Sequence, residues 1–412
     1  MITVEEAREA VFARIERLSG AEVDILDSLG RILAEDIRSD IDIAPFDNSA
    51  MDGFAVRVAD LEGASEESPV VLSVVEHVAA GAFPQVAVGP GQATRIMTGA
   101  PVPEGAEAVV MIERTESLES DGGAGGTVAI KTSARPGENI RRRGEDVRTG
   151  DVVLSADEVV TPAAVGLMAA MGRPRVSVYR RPRVAIVATG DELVAIDEYP
   201  GPGKIRNSNS YSLAAQVLAA GAEPHILPVA RDNEPDTRAI LSRASEFDLM
   251  VSTGGVSMGD FDVVKDVLEQ IGNLDFWKVA MRPGAPQTYG TIDGTPFFGL
   301  PGNPTSTMVG FELFVRPALR KMMGFAALDR PTVQATLAHD VKKKSDRRYF
   351  LRGRLTTTDD GYIVALSGAQ SSAMLTSMHR ANCLVSLAEG ESFFSAGSAV
   401  TCIRLDIEEG VR

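Results

Sequence analysis

Hydrophobic and polar positions change their spacing several times along the chain. In residues 3–18, apolar side chains recur every three or four positions, which predicts an amphipathic helix with the stripe Val4, Ala7, Val11, Ile15 and Leu18. Thr3 and Glu6 have the T-x-x-E spacing of a capping box at the start of this helix. Between residues 54 and 140, short β-branched runs alternate with turns rich in Gly and Pro. This second pattern predicts a small β domain.

Residues 177–325 alternate apolar strand patterns with amphipathic helix patterns. The predicted strands are 183–189, 224–230, 248–252, 278–281 and 296–300, and the predicted helices are 210–220, 234–244, 263–271 and 305–319. Such alternation is typical of βαβ units around a mainly parallel sheet, whose ligands bind at the carboxyl ends of the strands. Two further helices are predicted at 28–35 and 157–172, and residues 330–412 return to short strands.

Composition and charge narrow the class of function. The 412 residues contain 41 Lys and Arg against 57 Asp and Glu, a net charge of −16, which argues against nucleic-acid binding. Two cysteines and four scattered histidines exclude a disulfide framework and a Cys/His metal cluster. We find neither a signal-peptide pattern nor an apolar run of the roughly 20 residues that a membrane span needs. We therefore expect a cytoplasmic protein that does not contact membranes.

Three loops in the α/β segment combine Gly, Pro and small polar residues, each at the end of a predicted strand: 189–193, 252–260 and 300–306. Glycine lets the backbone approach a ligand, and a loop that leads into a helix N-terminus favours anions. Gly-rich βα turns are common on their own, but three at one edge of a sheet favour a ligand site. Neither G-x-x-x-x-G-K-[ST] nor a strand-linked G-x-G-x-x-G is present, which argues against a P-loop NTPase and a nicotinamide dehydrogenase.

Five acidic residues in or beside loops are candidates for binding a hard cation such as Mg²⁺: Asp52, Asp146, Glu192, Asp232 and Asp262. Loop aspartates also cap helices and close turns, and taken singly this explanation is the better one for Asp232 and Asp262. The sequence contains no G-x-S-x-G and no Ser/His order typical of a catalytic triad. The pattern therefore indicates a metal and an oxyanion held in position rather than covalent catalysis.

Two groups of cations are candidates for binding an oxyanion. Lys278 and Arg282 flank a predicted strand end, and residues 330–354 contain eight Lys and Arg against two Asp. Within that stretch, Arg347, Arg348 and Arg352 lie beside two aromatic residues, and a guanidinium fork suits an oxyanion. Lys342–Lys344 is expected to be a solvated run.

Six segments, in this order, resemble signatures of the molybdopterin molybdenumtransferase family, which includes MoeA and the gephyrin E-domain. They are P-F-D-N-S-A-M-D-G-F-A at 45–55, I-M-T-G-A-P at 96–101, R-G-E-D at 143–146, T-G-D-E-L at 189–193, the Ser/Gly loop at 252–259 and L-P-G-N-P at 300–304. One segment alone would be a weak signal. Together they cover essentially the whole chain and are highly specific.

The resemblance implies a multidomain α/β plus β fold in four regions. These are a discontinuous helical linker domain (1–45 and 141–176), an inserted small β domain (46–140), a central three-layer α/β molybdopterin-binding domain with a mainly parallel sheet (177–325), and a C-terminal β-barrel-like domain (330–412). It also implies a homodimer whose cleft combines the α/β domain of one subunit with the region of Asp52 from the other. A contact with the pterin adenylyltransferase is a further implied possibility.

The reaction implied by the resemblance is Mg²⁺-dependent insertion of molybdate into adenylylated molybdopterin, with release of AMP. The implied catalytic residues are Asp52, Thr98, Asp146, Glu192, Asp232, Asp262, Lys278 and Arg282. Implied substrate-binding residues are Gly190, Ser252, Gly254, Gly255, Ser257, Pro301, Gly302, Asn303, Pro304, Ser306, Arg347, Arg352 and Ser372. Asp52, Glu192 and Asp232 are the implied metal ligands.

The chain departs from the family pattern at three positions. The family often reads K-P-G-K-P where this chain has R-P-G-A-P, so Ala285 replaces a lysine and Arg282 keeps only the charge of another. Phe54 replaces a common Tyr, and Ser371 stands where Gly is frequent. Ala285 keeps open an alternative enzyme, a paralogue that inserts tungstate or adenylylates the pterin. A dimeric gephyrin-like scaffold or a pterin carrier without turnover is the other alternative.

Overall fold

The computed structural model describes residues 1–119, 123–254 and 263–407, which divide into two compact units. The first unit contains Met1–Val23, Gly30–Ala34 and the chain from Ser177 onward, and the second contains Asp24–Leu29 and Glu35–Val176. Within the described residues, no helix is both long enough and apolar enough to cross a bilayer. The four domain boundaries expected from the sequence remain a prediction.

A six-stranded sheet forms most of the second unit. In spatial order its strands are Ala108–Met111, Gly53–Val56, Gln92–Ile96, Val70–Val78, Thr127–Ile130 and Thr115–Ser117. Gly53 permits the close pairing at one side, because a Cβ there would lie 2.0 Å from the Val110 carbonyl oxygen. Two small strand pairs and one helix complete the unit: Asn48–Ser49 with Ile140–Arg141, Ile37–Arg38 with Val152–Leu154, and Pro162–Ala170. The helix begins as the sequence predicts, with Thr161 as N-cap and Pro162 in the first turn.

The first unit is built on a second six-stranded sheet. Its strands, in spatial order, are Glu223–Ile226, Arg183–Ala188, Leu249–Thr253, Thr295–Leu300, Pro286–Ile292 and Gly272–Lys278. The first four strands run parallel to one another, and Pro286–Ile292 runs antiparallel to them. Gly272–Lys278 is antiparallel to Pro286–Ile292 and so runs in the direction of the first four strands. Because Pro286–Ile292 runs the other way, it begins at the edge where the parallel strands end. That edge therefore gathers five strand ends, including Lys278 at the end of the sixth strand, and one strand start.

Helices cover this sheet and bury a shared apolar core. They are Val4–Arg14, Ser208–Ala219, Glu234–Leu241, Val263–Ile271, Pro304–Gly310 and Arg316–Met322. The last two are one continuous helix joined by the π-helical turn Phe311–Val315. Pro317 has no N–H to donate to the helix ladder, which accounts for the wider turn before it. The predicted helix 305–319 is therefore longer and less regular than its pattern indicates.

A closed five-stranded barrel forms the C-terminal part of the first unit. Its strands are Thr332–Leu337, Arg348–Thr358, Gly361–Leu366, Cys383–Leu387 and Ala399–Arg404. The long strand Arg348–Thr358 pairs with both Gly361–Leu366 and Cys383–Leu387, which closes the ring. The short helix Leu375–Arg380 and the strand pair Val341–Lys342 with Phe393–Phe394 lie outside the ring.

Two sequence predictions of secondary structure are wrong. Residues 28–35 form turns and isolated bridges instead of a helix, and Gly30 has a φ of 74°, which no helix residue adopts. The predicted strand 278–281 is also wrong, because the observed strand Gly272–Lys278 ends at the residue where the predicted strand was expected to begin. Met281–Arg282 instead forms a separate strand that pairs in parallel with Arg348 and Tyr349 of the barrel strand. The remaining short strands are Gly20–Asp24, Arg175–Tyr179, Leu193–Val194 and Ile205–Arg206.

Candidate functional site

A cleft of about 810 Å³ lies at the edge of the α/β sheet where the parallel strands end. The loops after three parallel strands contribute Gly190, Gly254 and Pro301 to its wall. The segment before the antiparallel strand Pro286–Ile292 contributes residues 281–285, and the C-terminal region contributes Ser345, Arg347, Gln370 and Ser372. The strand ends selected from the sequence therefore converge on one cavity.

One wall of the cleft is acidic. Glu192 and Asp232 both line it and both are exposed to solvent. Asp232 is held by its neighbour Asp191, whose backbone N–H donates to Asp232 Oδ2 at 3.2 Å. Gly190 has a φ of 148°, and a Cβ there would lie 2.4 Å from Glu192 Oε2. Glycine at 190 therefore lets the Glu192 carboxylate fold back against the backbone.

Two glycines form the floor of the cleft. Gly254 has a φ of 90°, and a Cβ there would lie 2.6 Å from the Thr189 carbonyl oxygen. A Cβ on Gly302 would lie 3.6 Å from the Gly254 Cα atom, so the two loops approach closely. Asn303 and Ser306 continue from this point into the helix that begins at Pro304. The exposed backbone here suits a ligand that needs close approach rather than side-chain contact.

Two arginines, Arg282 and Arg347, also line the cleft, and we call this part of its lining the cationic wall. Arg282 is exposed, and its guanidinium carbon lies 5.5 Å from the centre of the Tyr349 ring. Burial opposes ionisation of Tyr349, but hydrogen bonds from Ser345, the Lys344 N–H and Arg282 outweigh it and lower the Tyr349 pKa. Arg347 is half-buried and lines the same wall. These two arginines face the cleft without a carboxylate partner among the interactions of the described residues.

A second cavity of about 480 Å³ shares Arg282, Pro283, Gln370 and Ser372 with the cleft. Arg352 lies in its wall, fully buried. Its Nη2 donates to the carbonyl oxygens of Ala369 and Ser371 at 3.3 and 3.0 Å, and its Nε donates to Ser377 Oγ at 3.2 Å. Burial lowers the Arg352 pKa to about 10, so the side chain remains charged at neutral pH. Its Nη1 has no hydrogen-bond partner within the described structure.

Three family profiles match consecutive parts of the chain: the MoeA N-terminal region (domains I and II) over residues 2–172, a probable molybdopterin-binding domain over 185–321, and the MoeA C-terminal region (domain IV) over 334–405. Molybdopterin molybdenumtransferase from Staphylococcus aureus (strain COL) is 38% identical over 404 residues, which cover 98% of this chain and 95% of that protein. The chain belongs to the MoeA family. Its counterpart in Staphylococcus epidermidis (strain ATCC 12228) is 37% identical over the same share of both chains.

Solved MoeA structures have the same fold. The molybdopterin biosynthesis MoeA protein from Pyrococcus horikoshii superposes with a TM-score of 0.84 at 34% identity, covering 98% of this chain and 99% of its own. A second structure, of the protein from Pyrococcus horikoshii OT3, superposes with a TM-score of 0.81 at 30% identity, with the same coverage. The predicted family, the multidomain α/β plus β fold class and the role in molybdenum cofactor biosynthesis are thereby confirmed.

The structure brings most of the sequence-predicted MoeA site residues together. The cleft and the Arg352 cavity are lined by Gly190, Glu192, Asp232, Gly254, Arg282, Pro301, Gly302, Asn303, Ser306, Arg347, Arg352 and Ser372. Pro304 lines a smaller cavity of about 70 Å³, which Gly254 and Gly302 also line. Lys278 and Ser252 do not line the cleft: Ser252 is fully buried, and Lys278 lies at a strand end opposite Pro286. Gly255, Ser257 and Asp262 lie outside the described residues.

Three further predicted site residues belong to the other compact unit. There, Asp52 Oδ1 accepts hydrogen bonds of 2.7 Å from both the backbone N–H and the hydroxyl of Thr98. These two bonds lower the Asp52 pKa, so the carboxylate is ionised at neutral pH. Asp146 is exposed, and its backbone N–H donates to the Ile43 carbonyl oxygen. Asp52 and Thr98, which the sequence predicts separately as site residues, are therefore hydrogen-bonded to each other in the structure.

Sequence reasoning missed or misjudged several residues of the site. Gln370 lines both cavities and exchanges hydrogen bonds with the Arg352 backbone, but nothing in its local sequence marks it. Lys343 is buried and its ammonium donates to the Ala388 carbonyl oxygen, so the predicted solvated run Lys342–Lys344 is wrong at its centre. Arg348 is engaged by Glu5 and Glu389 and is absent from the cleft wall of the described structure. Lys343 and Arg348 lie in one cation-rich stretch of the sequence, and the residue types alone do not distinguish their environments.

The donor set of the cleft fits a hard cation only in part. Among the described residues, no group of three His, Cys, Asp or Glu side chains converges as a ready metal site. Glu192 and Asp232 offer two carboxylates on one wall, and Asp52 belongs to the other unit. Mg²⁺ is commonly held by one or two carboxylates, with substrate phosphate and water as its other ligands. The pair Glu192 and Asp232 fits a cation that arrives with a phosphorylated substrate.

Proposed function

We propose that this chain is a molybdopterin molybdenumtransferase that inserts molybdate into adenylylated molybdopterin and releases AMP. The observation that carries the proposal is the division of one cleft into an acidic wall, with Glu192 and Asp232, and a cationic wall, with Arg282 and Arg347. A nucleotide-activated pterin and an oxyanion need these two environments side by side. The names of the Staphylococcus relatives support the same reaction.

The cationic wall and the Arg352 cavity are proposed to hold molybdate. Molybdate is a tetrahedral dianion, and a guanidinium offers it donors in a fixed fork. The unpartnered Nη1 of Arg352 is a buried charged donor that a bound oxyanion would satisfy. The pterin dithiolene supplies the soft sulfur ligands that molybdenum takes in the product. The protein then has to hold and orient the oxyanion rather than ligate the metal.

Glu192 and Asp232 are proposed to hold Mg²⁺ against the pyrophosphate of the adenylylated pterin. When bound there, Mg²⁺ would polarise the phosphoryl oxygens and neutralise charge that develops as AMP leaves. Gly254 and Gly302 are proposed to let the pterin and its phosphate approach the backbone, with Asn303 and Ser306 beside them. The contribution of these residues is positioning and electrostatic stabilisation.

The decisive experiment is to measure AMP release from adenylylated molybdopterin, with Mg²⁺ present, while molybdate is titrated. We expect saturable dependence on molybdate and loss of release when Mg²⁺ is chelated. Release that is equally fast without molybdate would refute the proposal.

A tungstate-inserting enzyme is the second candidate, and Ala285 favours it. Ala285 lines the cleft beside Arg282, at a position where the family often has a lysine. Running the same titration with tungstate separates the two enzymes. A lower half-saturating concentration for tungstate than for molybdate would reassign the oxyanion, and Ala285→Lys should then shift the preference towards molybdate.

A homodimer, with Asp52 of one subunit completing the cleft of the other, is proposed from the family resemblance. Mixing Asp52→Ala with Glu192→Gln protein, after dissociation and re-association, tests this arrangement. If the two residues act in the same cleft from different subunits, about half of the dimers are mixed and each has one intact cleft, which restores about a quarter of the activity. No restoration would place both residues in one subunit. Cytoplasmic localisation and contact with a pterin adenylyltransferase remain predictions.

A further inference from the structure

Asn209 connects two loops of the cleft floor. It is the second residue of the helix Ser208–Ala219, and its Nδ2 donates to Thr253 Oγ1 at 2.9 Å and to the Gly302 carbonyl oxygen at 2.8 Å. A carbonyl oxygen can only accept, so the contact with Gly302 fixes which end of the amide carries the nitrogen. One side chain thus bonds to the end of the strand Leu249–Thr253 and to the loop that follows Thr295–Leu300.

The connection continues through two buried threonines. Thr253 Oγ1 is 3.2 Å from the Pro301 carbonyl oxygen, to which it donates. Thr307 Oγ1 also donates to the Pro301 carbonyl oxygen, and it lies 3.0 Å from the carbonyl oxygen of Asn303. Both threonines are almost fully buried, so these bonds are shielded from water. The carbonyl oxygens of Pro301 and Gly302 therefore accept hydrogen bonds from Thr253, Thr307 and Asn209, none of which is among the residues that line the cleft.

Helix capping does not explain Asn209. The N-cap of this helix is Asn207, whose side chain already accepts from the Ser210 N–H at 3.2 Å. Asn209 instead lines the 70 Å³ cavity that Gly254 and Gly302 also line. Its Oδ1 is buried and has no hydrogen-bond partner within the described structure. Leucine and alanine have a higher helix propensity than Asn, so helix formation does not account for the amide, which instead makes the two contacts with the loops.

We propose that Asn209 is a positioning residue that sets the spacing of the Gly254 and Gly302 loops and thereby the affinity of the cleft for the pterin substrate. The inference rests on the proposed function, because it assigns these loops to the pterin. The backbones of Gly302 and Gly254 lie close together, since a Cβ added at Gly302 would be in van der Waals contact with Gly254. The cleft floor at this point therefore depends on the spacing of the two loops. Loss of the amide frees the loop to move, and a movement of about 1 Å is enough to impair a preorganised site.

The first test measures the loop itself, without substrate. Hydrogen–deuterium exchange of peptides that cover residues 300–307 is compared in wild type, Asn209→Leu and the matched control Ser212→Ala. Ser212 lies on the same helix and donates to the Asn209 backbone carbonyl at 3.0 Å, but it does not take part in the loop network. We expect at least about tenfold faster exchange in Asn209→Leu and no change in the control. Unchanged exchange in Asn209→Leu would overturn the proposal.

The second test separates substrate positioning from a general loss of structure. Loss of the two Asn209 hydrogen bonds should raise the KM for adenylylated molybdopterin about 10- to 30-fold in Asn209→Leu, while kcat stays within about threefold. Thr253→Val should raise KM as well, and the double variant should be no worse than the poorer single variant, because both changes break one network. Additive effects of the two changes, or a fall in kcat with constant KM, would overturn the proposal.

The two proposals fail in different ways. If wild type releases no AMP in response to molybdate, the proposed function fails, and the exchange experiment still decides whether Asn209 holds the loop. If wild type is active and Asn209→Leu has the wild-type KM, only the positioning role fails. A lower melting temperature in Asn209→Leu alone, with no change in exchange confined to 300–307, would assign Asn209 a purely structural role.

Discussion

Replacing Arg352 with methionine should remove oxyanion binding at little cost to folding. Lowering the pKa of the fully buried Arg352 from the ordinary value of an arginine to about 10 corresponds to about 3 kcal/mol of desolvation penalty. At pH 7 this penalty is fully present, because the folded and unfolded pKa values both lie well above 7. It would diminish only as the pH rises through about 10 towards the unfolded value, where stability should increase.

Against this penalty stand the hydrogen bonds that methionine cannot make. Arg352 donates to the carbonyl oxygens of Ala369 and Ser371 and to the Ser377 hydroxyl. At about 1.5 kcal/mol for each hydrogen bond from a charged donor, their loss costs roughly 4 to 5 kcal/mol. The two contributions nearly cancel, so we expect the free energy of unfolding to fall by only about 1 to 2 kcal/mol.

The assay compares denaturant unfolding with the rise in melting temperature that molybdate produces. Wild type should be stabilised in proportion to the logarithm of the molybdate concentration, and Arg352→Met should not respond. Arg352→Lys keeps the charge but not the fork, and it should respond weakly. A full molybdate response in Arg352→Met, or a loss of more than about 4 kcal/mol of stability, would refute the reasoning.

Three further predictions concern single residues of the first unit. Glu192→Gln should lower molybdate-dependent AMP release on the order of 100-fold with an unchanged melting temperature, because it removes one proposed cation ligand but no packing; full activity would show that Glu192 does not hold a cation that the reaction needs. Gln287 is buried with neither amide atom partnered in the described structure, so Gln287→Met should raise the free energy of unfolding by about 1 to 2 kcal/mol in urea titrations. Gly254→Ala should destabilise by about 1 to 3 kcal/mol, since its Cβ would meet the Thr189 carbonyl oxygen.

Matched variants test the reasons behind the last two predictions. Gln216 is also buried, but its Nε2 donates to the Met308 carbonyl oxygen and to Glu312, so Gln216→Met should destabilise where Gln287→Met stabilises. Gly201→Ala meets open space and should leave stability unchanged. Equal effects in both members of either pair would contradict the reasoning.

The sequence predicted elements best where local pattern and tertiary role agree. The helix at Val263–Ile271 has the predicted bounds, because its apolar stripe packs on the sheet and nothing else competes for it. The strand expected at 278–281 fails for a non-local reason. Met281–Arg282 pairs with a barrel strand that begins at Arg348, far along the chain, and no local periodicity contains that information.

Site residues could be predicted where their function requires a residue type that stands out in the local sequence. The Gly-rich strand ends, Glu192 and Arg282 were found because close backbone approach and unpaired charge are visible as residue types. Asn209 was hidden because an Asn at a helix start suggests capping, a role that Asn207 already fills. Arg352 was identified as a cation, but only the fold shows that it is buried and that its Nη1 has no hydrogen-bond partner within the described structure.

The pairing register of the two-residue strand Met281–Arg282 sets the spacing of the two arginines of the cationic wall. Its parallel pairing joins Arg282 to Tyr349, two residues after Arg347, so the barrel fixes the spacing of both guanidinium groups. A slip of one residue in such a pairing turns each side chain to the opposite face. An inserted or deleted residue between 278 and 282 would therefore turn Arg282 away from the cleft. Length changes in this short segment should abolish oxyanion binding even where the same change in an exposed turn, such as that around Gly201, is harmless.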